Sequence, residues 1–206
     1  MKRVQGPGEL LVLAHRLEAA LRSDPEAGAP YSERSVAAID RLLPAHDADR
    51  SMQAAAYFGE IVCRNLGASW VAPDGLESET EPHVRLDAGG EPVFVFETVS
   101  RGGDRAIERA YRSLRPRGAP EGLIARPPMR RRWMEVWVSD APGDRRALLA
   151  ALTELMPLRS AEFAPLLQMP PAQIGRFDDP DEGWRLAQRL ARLGAQVQTR
   201  AVLVGR

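Results

Sequence analysis

Between Arg115 and Arg132 the chain reads RPRGAPEGLIARPPMRRR, and twelve of those eighteen residues are proline, glycine or arginine. Proline has a fixed φ and no backbone donor, and glycine loses the most freedom on ordering, so neither helix nor central strand propagates through such a run. No hydrophobic periodicity crosses it. The chain is therefore expected to fold as two pieces, residues 1–115 and 132–206, joined by a linker at 116–131. Both pieces are long enough to bury a core.

Composition narrows the function classes. Of 206 residues, 44% are hydrophobic and 27% charged, the balance of an ordinary globular chain. The formal net charge of +0 argues against nucleic acid as a partner, because neutralising phosphates needs a basic surplus. The charge is uneven: residues 1–127 hold 16 basic and 19 acidic side chains, residues 128–206 hold 12 and 9. Cys63 is the single cysteine, which excludes an internal disulfide and a cysteine-based zinc cluster and suits a reducing cytosol. The apolar run Leu10–Ala14 is too short for a signal sequence, and no stretch approaches the roughly 20 residues of a membrane span. A cytoplasmic protein without a membrane partner is expected.

In the first piece, Leu10, Leu13, Leu17 and Leu21 form one helical stripe, and Val36, Ile39 and Leu43 mark a second helix closed by Pro44. A third helix spans Ser51 to Gly67, with Ala55, Phe58, Val62 and Leu66 facing inward and Gln53, Tyr57, Glu60 and Arg64 outward. Three strand-like runs follow, ASWVA, HVRLD and PVFVFETVS, the last two flanking the turn AGGE. Val93–Phe96 is continuously apolar, as a central strand would be. A closing helix has Asp104 as its cap and Ile107, Tyr111 and Leu114 inside. The expected architecture is α+β, helices around a three-stranded antiparallel meander.

The second piece opens with the strand WMEVWVS, whose Met134, Val136 and Val138 share one face and Trp133, Glu135 and Trp137 the other. A helix carrying Leu148, Leu152 and Leu155, a shorter helix in SAEFAPLLQM and a strand QIGRF come next. Asp179-Pro180 with Glu182 reads as a helix cap, first turn and capping box; Gly194 stops that helix, and residues 195–204 alternate as a strand. The order is β-α-α-β-α-β, with the helices on one face of a three-stranded sheet.

LARLGAQVQTR at the end, together with LLAALTELM and LRSAEF, resembles the C-terminal domain of the bacterial ribosomal stalk protein. The related fold of the Clp protease adaptor that recognises N-terminal degrons is similar to a lesser degree. The resemblance covers about a third of the chain. It implies a small α/β unit that binds a protein partner, with Arg145 at a matching basic position. Ala150 and Thr153 stand where the stalk domain has basic residues, so a ribosomal role is not carried over. In the first piece, YFGEIVCRNLGASWV is similar to uncharacterised bacterial domains, which implies a fold unit and no activity.

Candidate chemistry is sparse. There is no Gly-x-Ser-x-Gly elbow, Cys63 sits in an apolar helical sector, and His15, His46 and His83 lack ligand spacing. The turn glycines of AGGE and SRGGD lack a phosphate-binding context. No catalytic residue, metal or cofactor is assigned. An enzyme or small-molecule pocket would need Glu60 and Glu97 to converge near His83 and Arg101; ion pairs of the two glutamates with Arg64 or Arg101 are the structural alternative. Candidate partner-binding residues are Trp133 and Trp137, with Arg145 and the stripe Arg185, Arg189 and Arg192. The tryptophans either dock within the chain or meet a separate protein. The functional expectation is a non-enzymatic protein–protein interaction module of adaptor, regulatory or immunity type.

Overall fold

The computed structural model describes residues 6–43, 47–71, 81–87, 91–102, 105–115, 131–141, 144–156 and 163–204. Residues 116–130 of the linker expected at 116–131, the Asp104 cap, Pro44 and His46 lie outside them, and the last linker residue, Arg131, belongs to a strand. The described residues form a mixed α+β structure of seven α-helices, one 3-10 turn and two antiparallel sheets. Two compact units emerge, Leu10–Arg131 and Arg132–Leu203, the latter grouped with Pro7–Glu9. Among the described residues, no helix is long and apolar enough to cross a membrane.

The first unit contains α1 (Pro7–Leu21) from Leu10 onward, α2 (Glu33–Leu42), α3 (Ala48–Leu66), β1 (Ala68–Val71), β2 (His83–Leu86), α4 (Val95–Arg101) and α5 (Ala106–Leu114). Leu10, Ala14, Leu17 and Leu21 of α1 are buried, as are Val36 and Ile39 of α2. The Asp47 carboxylate starts α3 by accepting from the Arg50 N–H at 3.0 Å, and Gly67, at φ 68°, ends it.

The outward face expected for α3 is closed over at Tyr57 and Glu60, while Gln53 and Arg64 are half-buried. Every residue from Ala54 to Cys63 is buried, Tyr57 and Glu60 completely. α2, α4, α5, β1 and β2 all pack on this helix, so it is the axis of the unit and not one of its walls. The run Ala54-Ala55-Ala56 permits that close surround, because small side chains let neighbouring backbones approach.

The expected three-stranded meander is reduced to two strands and one bridge. β1 and β2 pair antiparallel from Ala68↔Leu86 to Val71↔His83. Val93 meets Val84 through a reciprocal pair of backbone bonds, 3.0 and 2.8 Å, and there the pairing stops. The chain then turns into α4, which buries Val95 and Val99. A short apolar run satisfies strand and helix alike; as a helix it sets Val95 and Val99 on one buried face, beside α3, and Glu97 four residues before Arg101.

α5 is started from outside itself. Arg105 precedes it at φ 54° and supplies no side-chain cap. Asp40, near the end of α2, accepts from the Ile107 and Glu108 N–H groups at 3.3 and 3.1 Å. One carboxylate thus satisfies two orphan donors of a distant helix and places negative charge at its positive end.

The second unit contains β3 (Arg131–Asp140), α6 (Arg145–Leu155), a 3-10 turn at Leu166–Gln168, β4 (Ala172–Phe177), α7 (Pro180–Arg192) and β5 (Gln196–Val204). Of the expected second helix, residues 160–169, the described part is 163–169, where Phe163 is helical and the 3-10 turn follows. β3 lies centrally in the order β4-β3-β5. Met134, Val136 and Val138 enter the core with Leu148, Leu152, Leu186 and Leu190 of α6 and α7, so the helices occupy one side of the sheet. Asp179 caps α7 by accepting from the Asp181 N–H at 2.9 Å. At its other end Gly194, at φ 91°, completes a Schellman closure: Ala195 N–H donates to Leu190 C=O and Gly194 N–H to Ala191 C=O.

Asp40→Ala should lower stability by about 1 kcal/mol, the usual weight of a helix cap. Denaturant unfolding of this variant beside Asp47→Ala measures it; an unchanged midpoint for Asp40→Ala would show that α5 needs no external start.

Candidate functional site

β3 raises Trp133, Glu135 and Trp137 onto the sheet face opposite the helices. All three point the same way because strand side chains alternate. Glu135 is buried, and both of its oxygens are taken: Oε1 accepts from Trp133 Nε1 at 3.3 Å and Oε2 from Trp137 Nε1 at 3.1 Å. Arg176 of β4 adds a bond to Oε1 at 3.2 Å. Burial alone would raise the Glu135 carboxyl, but the donors from Trp137, Trp133 and Arg176 together hold it below the ordinary carboxylate range.

The two indole faces are covered by cations. The Arg176 guanidinium lies 4.2 Å from the centre of the Trp133 ring, and that of Arg200, from β5, 4.9 Å from Trp137. The result is a ladder across three strands, guanidinium on indole, indoles on carboxylate, guanidinium on indole. Both tryptophans are half-buried, and the Arg176 side chain is 54% exposed.

A bulge in β4 aims Arg176. Val136 pairs with Gly175, and Trp137 pairs with Gln173, leaving Ile174 as an extra residue. Ile174 is buried, and a Cβ on Gly175 would lie 2.9 Å from Met156 Cε, so two consecutive residues face the helices. Gln173 and Arg176, three apart, thereby share the open face.

The candidate residues of α6 and α7 belong to the other side of the sheet. Arg145 is exposed at the start of α6. Arg189 pairs with Glu154 at 2.5 Å, Arg185 bonds to the Asp181 carbonyl at 3.2 Å, and Arg192 is exposed. They do not adjoin the tryptophans.

In the first unit the carboxylates are held by local partners. Glu60, fully buried, accepts from Trp70 Nε1 at 2.8 Å and from Arg64 Nε at 3.2 Å. Trp70 reaches it by lying flat on Gly59, where a Cβ would stand 2.2 Å from the indole ring. Glu97 does not lie on the strand expected for PVFVFETVS; it sits in the first turn of α4, 45% exposed, and pairs with Arg101. His83 lies on β2 with its ring 5.4 Å from that of Phe94. The Arg64 guanidinium covers the Tyr31 ring at 3.6 Å, and Tyr31 stacks on Tyr57. Tyr31 has φ 56°, a strained value for an aromatic residue, and α3 holds it there. Tyr57 Oη accepts from the Tyr31 N–H at 2.8 Å, and Asn65 donates to the Tyr31 carbonyl at 2.9 Å. Burial raises the phenols of both tyrosines. Such an interior is a fastening.

The sequence reading missed Glu135, Arg176 and the Trp70–Glu60 bond. The spacing Trp-x-Glu-x-Trp was the available signal, since it puts two donors beside one acceptor on a strand face. Comparison with protein-family models, with curated proteins and with solved structures finds no match to the chain. The class is defined by the molecule itself: an α+β protein of two units whose three-stranded sheet carries an open face of two indoles, two guanidiniums and one buried carboxylate.

Glu135→Gln should destabilise the fold by about 2 kcal/mol at neutral pH, because a charged acceptor shared by three donors is lost. The folded carboxyl is held low, so its contribution is complete above the unfolded value and disappears as pH falls through the folded one. Melting curves of wild type and variant should therefore converge on acidification; a constant gap would refute the ionised role. Gly59→Ala should cost about 1 to 3 kcal/mol by displacing the Trp70 indole, read as lost stability together with a red shift of tryptophan emission.

Proposed function

We propose that the chain is a non-enzymatic protein-binding module, of adaptor, regulatory or immunity type, working through the open face of its second unit. The observation that carries this is the ladder of Trp133, Glu135, Trp137, Arg176 and Arg200. Tryptophan and arginine are the residues that dominate binding energy at protein interfaces. Here their rotamers are fixed before any partner arrives, which reduces the entropy lost on association. The resemblance of the C-terminal segment to the partner-binding stalk domain supports the same reading. For an enzyme, the first unit offers Glu60 engaged with Arg64 and Trp70, and Glu97 engaged with Arg101, on different helices.

The test is affinity capture from the native host with the whole chain as bait. The comparison bait is Trp133→Ala/Glu135→Leu/Trp137→Ala, which removes the indoles without orphaning the carboxylate. At least one protein should be retained by the wild type and lost from the variant, with both baits melting cooperatively. Equal retention by both, or turnover of a metabolite by the purified chain without any retained protein, would overturn the proposal.

A further inference from the structure

The open face carries a charge imbalance that specifies its occupant. Glu135 is withdrawn from solvent, and its oxygens are already committed to both indoles and to Arg176. It cannot also neutralise Arg200, which is exposed and has no carboxylate partner among the described residues. Arg176 gives Glu135 one of its five N–H donors and keeps an exposed edge. Gln173 and Gln198, which strand alternation places on the same face, are neutral. Two guanidiniums therefore stand over a single buried negative charge, and the excess points outward.

Their geometry suits carboxylates. Each guanidinium rests on an indole, which fixes its plane and leaves its donor edge available for a bidentate oxyanion. They rise from β4 and β5 on either side of β3, so their backbones stand about 10 Å apart by ordinary strand spacing, a separation two acidic side chains of one segment can bridge. We infer that the face takes an acidic peptide segment, with carboxylates seated on Arg176 and Arg200. This deepens the partner-binding reading above and rests on it.

Nucleic acid fits less well. Bases bind such proteins by stacking on aromatic faces, and here the chain's own arginines occupy those faces. Nor does a chain of net charge +0 supply the basic surplus that phosphate polymers require. A basic partner would set like charges together.

The experiment follows the indole N–H resonances of Trp133 and Trp137 in the full 15N-labelled chain, assigned by single Trp→Phe replacements. The probes are a short peptide of alternating glutamate and serine, its lysine and glutamine counterparts, and an oligouridine of equal length, at low and at raised salt. The glutamate peptide should move both resonances saturably and bind more weakly as salt rises. Arg200→Gln and Arg176→Gln should each weaken it roughly tenfold, the loss of one charge-assisted hydrogen bond, while Arg109→Gln, at an exposed position, leaves it unchanged. Arg176 also braces Glu135, so the Arg200→Gln result decides where Arg176→Gln melts early. Equal shifts from the lysine or glutamine peptide would overturn the acidic inference while leaving the face as a binding surface. Tighter binding of oligouridine, or indifference to Arg200→Gln, would overturn it as well. If no peptide moves the indoles the inference falls, and the capture experiment then judges the face reading separately.

Discussion

A carboxylate taken out of water has to be met by donors, or it forces the protein around it to change. Glu60 in the first unit and Glu135 in the second are such groups, and both are met by the same two residue types. Glu60 is bound by the Trp70 indole and the Arg64 guanidinium; Glu135 is bound by two indoles and Arg176. In both, the arginine then lies on an aromatic ring, Tyr31 in one and Trp133 in the other. The pattern extends each buried charge into a plate of alternating ring and ion.

The two plates differ in what lies beyond them. Around Glu60 the plate is enclosed: Tyr31, Tyr57 and Asn65 continue it into a backbone turn whose strained φ is fixed by side chains of α3. Its service is to tie the loop between α1 and α2 to the central helix. Around Glu135 the plate ends at solvent, because no helix covers that side of the sheet among the described residues. The same chemistry is a rivet in one unit and a prepared surface in the other.

The regular elements of both units were legible in the amino-acid pattern wherever one period dominated. The stripe of α1, the capped start of α7 and its glycine stop could each be read from spacing alone. Two features were not. Tyr57 and Glu60 look outward by helical arithmetic, and only the crowding of α3 on every side turns them inward. Val93–Phe96 fits a strand, and the choice of helix depends on how α4 packs against α3. For the site, Trp133, Glu135 and Trp137 shared a face by alternation, whereas the approach of Arg176 needed a bulge in β4 that no local signal announced. Asp40 was equally silent, since its partners lie 67 and 68 residues away.

That bulge is where β4 holds slack. Removing Ile174 would let the strand pair evenly with β3 and leave Gly175 on Val136, Arg176 on Glu135 and Phe177 on Met134, so each keeps its face. Only one apolar side chain would leave the core. A residue added or removed after Gly175 is different, because a one-residue slip turns side chains to the opposite face. Lineages carrying the chain should tolerate a missing residue at the bulge sooner than a changed length between Gly175 and Asp179.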